Sequence, residues 1–499
     1  MSSIFSLSEF IRCIRIYCSK LHATLAEIPL YRITLLSSAP KNIRNKLNSE
    51  FPQEYSIDLV SRSHIIVLKC SGRSVFIRDV SAALTSDKFS DAEKAELHGF
   101  GWISLLNLNI DKQWRLLVRQ HMMFWIENFK NTRGLAWSIP IVSARIYNWI
   151  MRHNLISKTS DKKFNRTLGE SLVRQLNFLK RQLYLPMKAS DKISLVLAVA
   201  TGASAVNDDK TALRALRELT RFLADVDVAE SCKTPLEILN VLRNLVDIQA
   251  LAVFHKIAVA EEISRAVLKL AHIIRKIRHS DGGISIFLSE FTPIPSHIDA
   301  VLSGIRHEAA FEDNSYLRLQ SFEGTAFIDL RNKYFPLEFS SGPRRLILGT
   351  YACFSDRRTV FSGSSLIRHS VNREKNNIWF NGKSEFVVND HEMVFEKKLY
   401  INNLGTDIRC EESVSAKSFD VLHYIVLPGE INISPLEYKN GFFMDLKNGI
   451  RWLWNFNKGA EFSFDFEKNG ILNGEKTGLT LLAVNAGSSN KLRWSLKKV

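Results

Sequence analysis

The chain has 499 residues, room for two or three domains of roughly 100–200 residues each. It is 45% hydrophobic and 24% charged, close to globular averages, which excludes general disorder, collagen-like repeats and low complexity. Apolar runs such as Ile193 to Ala200 fall far short of the roughly 18 residues of a membrane span, and a formal charge of +16 points to an anionic partner: an acidic polysaccharide, a nucleic acid or a membrane surface.

The charge is unevenly placed. Residues 310–499 carry 25 Lys/Arg against 22 Asp/Glu, a surplus of three; residues 1–309 carry 42 against 29, a surplus of thirteen. Six cysteines (Cys13, Cys18, Cys70, Cys232, Cys353 and Cys410) stand singly. With no CxxC pair they argue against a zinc site or a disulfide framework and for thiols in a reducing compartment.

In chain order, Ile4 to Leu25 reads as a basic amphipathic helix. Glu9, Arg12, Arg15 and Lys20 interrupt every apolar stretch that a secretory signal would need. Such a helix packs on its own domain or lies peripherally on an acidic membrane face, so the sequence alone suggests a cytoplasmic or membrane-peripheral protein. His64 to Lys69 and Ser74 to Arg78 predict a small hairpin crossing Gly72.

From Asp91 to about Ile305 the apolar period is helical. Leu97, Trp102, Leu105 and Leu106 share one predicted face, and Trp114 to Trp125 continue the pattern. A helix begins near Pro140, and further helices are expected at 162–184, 190–202, 208–225, 234–256, 259–279 and 295–305. Thr234-Pro235 supplies an N-cap followed by proline at the first position. Successive helical hairpins pack as a bundle, a solenoid or a closed toroid.

After about residue 310 the period becomes two. Phe462, Phe464 and Phe466 alternate with polar residues, as do Leu492, Trp494 and Leu496. All five Asn-Gly pairs (381–382, 440–441, 448–449, 469–470 and 473–474) lie here and predict hairpin turns. Many short strands with frequent turns indicate an antiparallel sandwich.

Between Ala136 and Lys188, basic residues including Arg145, Arg152 and Arg174 interleave with Trp137, Tyr147, Trp149, Phe164, Phe178 and Tyr184. Basic groups beside exposed rings suit sugar acids, whose carboxylates pair with arginine. They equally suit nucleic acid or solvated helix faces over an aromatic core. No nucleotide-binding loop or metal-binding helix motif occurs. The His279 to Gly283 turn reads as a helix-to-strand reversal permitted by its glycines.

Leu97-His-Gly-Phe-Gly-Trp102 and Leu135-Ala-Trp137 with the helix through Arg145 resemble the opening of the helical domain of heparinase II/III-like proteins. His279 to Gly283 resembles that family's linker. Glu338 to Gly342, Arg345 to Leu348, Arg368-His369-Ser370 and Leu492 to Leu496 resemble its C-terminal domain. The resemblance covers about residues 90–499. It implies an α+β multidomain chain: an N-terminal region (1–89), an (α/α) toroid-like helical domain (90–309) and an antiparallel β-sandwich (310–499). It also implies polysaccharide lysis and a cell-envelope or periplasmic location.

Lysis of a uronate by β-elimination needs a base for the C5 proton, an acid for the leaving oxygen and a donor for the enolate-like carboxylate. The resemblance assigns the catalytic or substrate-contacting place to His369. Trp102, Trp137, Arg145, Arg368 and Tyr334 are expected to bind substrate, and Glu338 to orient its strand. The family's Asn, Tyr and His positions read here as Lys188–Lys192, Asp225–Glu230, Arg331–Pro336 and Tyr424–Leu427, so no metal site and no cofactor is carried over. Three readings follow: an acidic-glycan lyase, a catalytically inactive glycan- or envelope-binding protein on the same fold, and a nucleic-acid binder favoured by charge alone. Of these partners acidic polysaccharide is the expected one and nucleic acid is not.

Overall fold

The computed structural model describes residues 66–499 apart from 71–72, 78, 106–111, 131–133, 158–159, 288–292, 308–310, 312–313, 355–360, 390, 416–420, 430, 437–439, 473–474 and 487–490. The amphipathic segment 4–25 lies outside the described residues. The predicted hairpin forms: β1 (Ile66–Cys70) and β2 (Arg73–Ile77) make a two-stranded sheet.

Helices then follow one another: α1 (Val80–Thr85), α2 (Asp91–Gly99), α3 (Lys112–Asn128), α4 (Ile139–Met151), α5 (His153–Ser157), α6 (Lys162–Gln182), α7 (Ala189–Ala205), α8 (Asp209–Asp225), α9 (Val228–Ser231), α10 (Pro235–Phe254), α11 (Glu261–Lys276) and α12 (Pro295–Leu302). Their starts follow local chemistry. Ser90 and Glu93 form a reciprocal capping box on α2. Thr234 Oγ1 accepts the Glu237 amide at 3.2 Å ahead of α10. No described helix is long and apolar enough to cross a membrane.

α7 is the centre of the helical packing. Its residues from Leu195 to Ala205 are all buried, and it packs against α4, α6 and α8. A helix apolar on every side belongs inside. Gly202 lets its neighbours close in, since a Cβ there would lie 3.1 Å from Leu176 and 3.3 Å from Ile146.

The expected helix through Leu97 and Leu106 is interrupted. Phe100 caps α2 in the left-handed region, φ 56°, and a 3₁₀ turn covers Gly101–Leu105. Burial of the Phe100 ring among Trp102, Trp125 and Trp149 offsets the cost of that backbone for a residue with a Cβ.

From Tyr316 onward the described chain is β. The strands are β3 (Tyr316–Gln320), β4 (Gly324–Asp329), β5 (Leu337–Ser341), β6 (Arg344–Ile347), β7 (Gly349–Phe354), β8 (Phe361–Glu374), β9 (Asn377–Val388), β10 (His391–Ile401), β11 (Asp407–Val414), β12 (Val421–Pro428), β13 (Asn432–Pro435), β14 (Gly441–Asp445), β15 (Arg451–Phe456), β16 (Glu461–Leu472), β17 (Glu475–Asn485) and β18 (Lys491–Lys498). They form an antiparallel eight-stranded sheet, β13-β14-β15-β18-β11-β10-β9-β8, and two four-stranded sheets, β16-β17-β12-β7 and β3-β4-β5-β6. One core joins their inner faces, with Phe380, Phe395, Trp454, Ile425 and Leu482 among its members. Burial alternates with period two on β9, β10, β11 and β18.

The Asn-Gly expectation is corrected. Asn448-Gly449 is a turn, with Gly449 at φ 80°. Asn381-Gly382 and Asn469-Gly470 instead lie within β9 and β16, and Gly441 begins β14. Asn473-Gly474 lies outside the described residues. The tight β8–β9 hairpin is made by Lys375-Asn376, both at positive φ, the geometry that two-residue hairpins favour.

The chain divides into two compact units. One holds residues 74–232 and 240–268 among its segments, the other 233–239 and 269–499. The division falls inside α11, well before residue 309, because the linker after this helix is bonded into the sheets, as described below.

Candidate functional site

The helical unit places its predicted substrate residues in its interior. Arg145 has no exposed surface. Its Nε donates to Gln175 Oε1 at 2.7 Å, and Nη1 donates to the carbonyls of His98 (2.9 Å) and Ala136 (3.0 Å). Its guanidinium lies 3.8 Å from the Trp125 ring centre. Burial first, then Arg145 and Lys94, push His98 down to about 4, so it is neutral and its Nδ1 accepts the Trp125 indole N–H at 3.0 Å. Trp102 and Trp137 are buried in the same aromatic cluster, Trp137 donating to the Phe129 carbonyl at 2.7 Å. The expected groove of Arg145 and Arg152 beside exposed rings is therefore corrected: Arg145, Arg152, Trp149 and Phe164 are also buried. Arginine's fork satisfies the backbone where three segments meet, and the rings shield it.

Glu338 is buried on β5. Its Oε2 lies 2.9 Å from His279 Nε2, and its Oε1 accepts the Phe287 amide. His279 Nδ1 is 3.1 Å from Ser340 Oγ. Burial, only partly opposed by Arg345, pushes Glu338 up to about 8; burial, then Arg345, pushes His279 well down. Burial thus favours the uncharged form of each. Serine, histidine and a carboxyl group in this order have the composition of a nucleophilic triad, but His279, Ser340 and Glu338 are all buried. Their visible effect is structural. With the Arg345–Asp281 pair at 2.8 Å and Arg345 Nη1 on the Ile284 carbonyl at 2.9 Å, they tie the 277–287 linker to β5 and β6. Gly282, at φ 84°, makes the turn.

A second buried network crosses the sandwich. Lys397 Nζ donates to Glu412 Oε1 (2.8 Å), Thr350 Oγ1 (2.7 Å) and the Phe335 carbonyl (2.9 Å). Glu412 Oε2 is 2.6 Å from His423 Nδ1. Burial alone would raise Glu412, but Lys397 and His423 outweigh it and hold the carboxylate at about 2. His423, one residue before the Tyr424–Leu427 segment, was not singled out in the sequence. The inward alternation of His423, Ile425 and Leu427 was its only signal.

Of the residues expected to contact substrate or react, His369 and Arg368, both on β8, are the exposed ones. His369 is exposed on β8 opposite Gly382 and shares its face with Ile367 and Val371, which pack on the core. Arg368 points to the opposite face. Gly382 is required by packing: a Cβ would lie 2.8 Å from the Phe380 ring and 3.0 Å from that of Phe335. Phe335 belongs to the β4–β5 loop, which is pinned to β9 by Ser384 Oγ donating to the Lys333 carbonyl at 2.5 Å.

On that loop Tyr334 packs edge-on against Phe386 and Phe395 at 5.8 and 5.4 Å, with its hydroxyl buried. This corrects its expected contact with substrate. Its neighbour Lys333 is half-buried, with Nζ 4.7 Å from the Phe386 ring centre, and burial lowers its pKa to about 8. Sequence reasoning missed Lys333, because its apolar seat comes from β9, more than fifty residues away. The edge thus offers a lysine able to lose its proton near neutrality and an exposed imidazole. Among the described residues no group of three or more His, Cys, Asp or Glu side chains could hold a metal ion.

Neither a protein-family model nor a curated protein sequence matches the chain. Its structure does find counterparts. Heparinase III superposes with TM-score 0.59 at 12% identity, over 83% of this chain and 78% of that one. The chain has the fold of heparinase III. The chondroitin AC lyase of Streptomyces coelicolor A3, solved with chondroitin sulphate, gives 0.48 at 9% identity over 80% of this chain and 74% of that one. The heparan sulfate lyase HepC of Pedobacter heparinus gives 0.44 at 9% over 96% and 88%. The helical domain followed by a β-sandwich, expected from the sequence, is the architecture of the heparinase III fold.

Proposed function

We propose that the chain is a polysaccharide lyase that cleaves a uronate-containing acidic glycan by β-elimination, using Lys333 as the base. The reading rests on Lys333: a lysine with its pKa lowered to about 8, on a loop pinned to β9, the strand that pairs with β8 and its exposed His369, on the fold of heparinase III. Neutral Lys333 takes the C5 proton. The electron pair moves into the C4–C5 bond as the C4–oxygen bond breaks. His369 delivers a proton to the departing oxygen; Arg368, on the opposite face of β8, takes no part in this step.

The test is formation of the unsaturated product from a panel of uronate polymers, followed by absorbance. The rate should fall as pH drops below about 8, because Lys333 takes up its proton, and Lys333→Ala should lose about 10²–10⁴-fold with its melting temperature unchanged. Full activity of Lys333→Ala or of His369→Ala refutes the assignment. The second reading, an inactive glycan-binding protein, is favoured by one observation: the Tyr334 hydroxyl and the His279–Glu338 pair are sealed in the core. Binding of a uronate polymer by the wild type without any unsaturated product would establish it.

A further inference from the structure

The solvent face of the eight-stranded sheet carries a feature that elimination chemistry does not use. Trp379 on β9 is 49% exposed. Its ring lies 4.6 Å from that of Tyr400, its direct partner on β10. The row continues to Asn372 on β8 and, on the other side, to Arg409 on β11, whose guanidinium is 5.6 Å from the Tyr400 ring centre. Asn381, exposed two residues along β9, borders the same patch. With strands about 4.8 Å apart, the Trp379–Tyr400–Arg409 row spans about 10 Å.

The charges nearest the rings pair within the face, and Arg368, farther along β8, lies near the Lys383–Glu385 pair. Asp407 holds Arg409 at 2.7 Å, Glu385 holds Lys383 at 2.9 Å, and Glu411 holds Lys491 and Arg493 at 2.8 and 2.6 Å. A polyanion would have to compete with these carboxylates, so the face is not matched to one. Around the rings it presents an aromatic platform and two primary amides, and the cations that border them, Arg409 and Lys398, are each held by carboxylates of the same face. That is the complement of a sugar ring with an apolar C–H face and hydroxyls at its rim.

We propose that this face binds a neutral β-1,4-linked glycan, one sugar stacked on Trp379 and its neighbour over Tyr400, with Asn372 and Asn381 hydrogen-bonding the hydroxyls. It is a site separate from the β8-edge chemistry, and it would hold the protein on a mixed matrix that also contains acidic chains.

The experiment is co-sedimentation of the intact protein with insoluble β-1,4-glucan at low and high salt, in parallel with capture on a hyaluronan resin. Binding to the glucan should be independent of salt, because no net charge drives it. Trp379→Ala should weaken it about tenfold or more, with lyase activity and melting temperature kept. Asn372→Ala with Asn381→Ala, which removes no packing, should weaken it independently. Absence of glucan binding, or unchanged binding in Trp379→Ala and in the double variant, overturns the proposal. Hyaluronan capture that Trp379→Ala abolishes would also overturn it, by making the platform part of a polyanion site. None of these results depends on Lys333, so this proposal and the lyase assignment fail separately.

Discussion

A carboxyl group with no exposed surface gives up either its charge or some stability, and Glu338 gives up its charge. Its pKa is about 8 in the fold against an ordinary 4.5. The folded state therefore binds a proton that the unfolded chain has already released between these values. The contribution is complete below about pH 4.5 and is lost as pH rises through about 8. Glu338→Gln, an uncharged isostere of the protonated acid, should remove that loss: its melting temperature should gain on the wild type between pH 5 and pH 9. Parallel profiles would show that the acid titrates normally. Arg145 teaches a different lesson at this scale. Its position repeats the stripe of Val142, Ile146 and Trp149, so its inward direction was legible. The rule that charged residues lie outside competed with that period, and the aromatic neighbours made a groove look attractive.

Among elements, β10, β11 and β12 bring a lysine, a glutamate and a histidine into one buried line. Lys397 and Glu412 are direct cross-strand partners on the inner face. Such a pair adds little over apolar residues, but losing one member strands the other. Lys397→Met should cost about 3–5 kcal/mol in denaturant unfolding, and Lys397→Met with Glu412→Leu should recover much of it. A small cost for the single variant would mean that water reaches Glu412. Because Glu412 is held at about 2, its contribution is present above about pH 4.5 and fades as pH falls towards 2. Alternation along β10 and β11 was legible. The partnership was not, because period-two reading assigns a face to each residue but no partner. The Asn-Gly pairs failed for a related reason: Gly382 serves the Phe335 and Phe380 rings rather than a turn, and the true hairpin uses Lys375-Asn376.

For the whole molecule, the change from period 3.6 to period two was visible in the sequence and is the passage from α12 to β3. Six of the helices expected after residue 160 begin within two residues of their observed starts. The packing division near residue 268 was not visible, because the bonds of His279, Asp281 and Arg345 that draw the linker to the sheets join residues about sixty apart.

The eight-stranded sheet ends at β8, and a sheet that ends invites another chain to extend it. This strand has the means to discourage that. Its register slips between Ser362 and Leu366, and Arg368, His369 and Arg373 crowd its exposed stretch. An inward-facing polar residue near a sheet margin blocks the apolar match that a second copy would need. The imidazole proposed for the chemistry thus also works against pairing of β8 with a second copy. His369→Val should turn the strand into a smooth β-branched template, and size-exclusion elution should shift to larger species as concentration rises. His369→Asn, polar but unable to shuttle a proton near neutrality, should stay monomeric while losing lyase activity, separating solubility from catalysis at a single position.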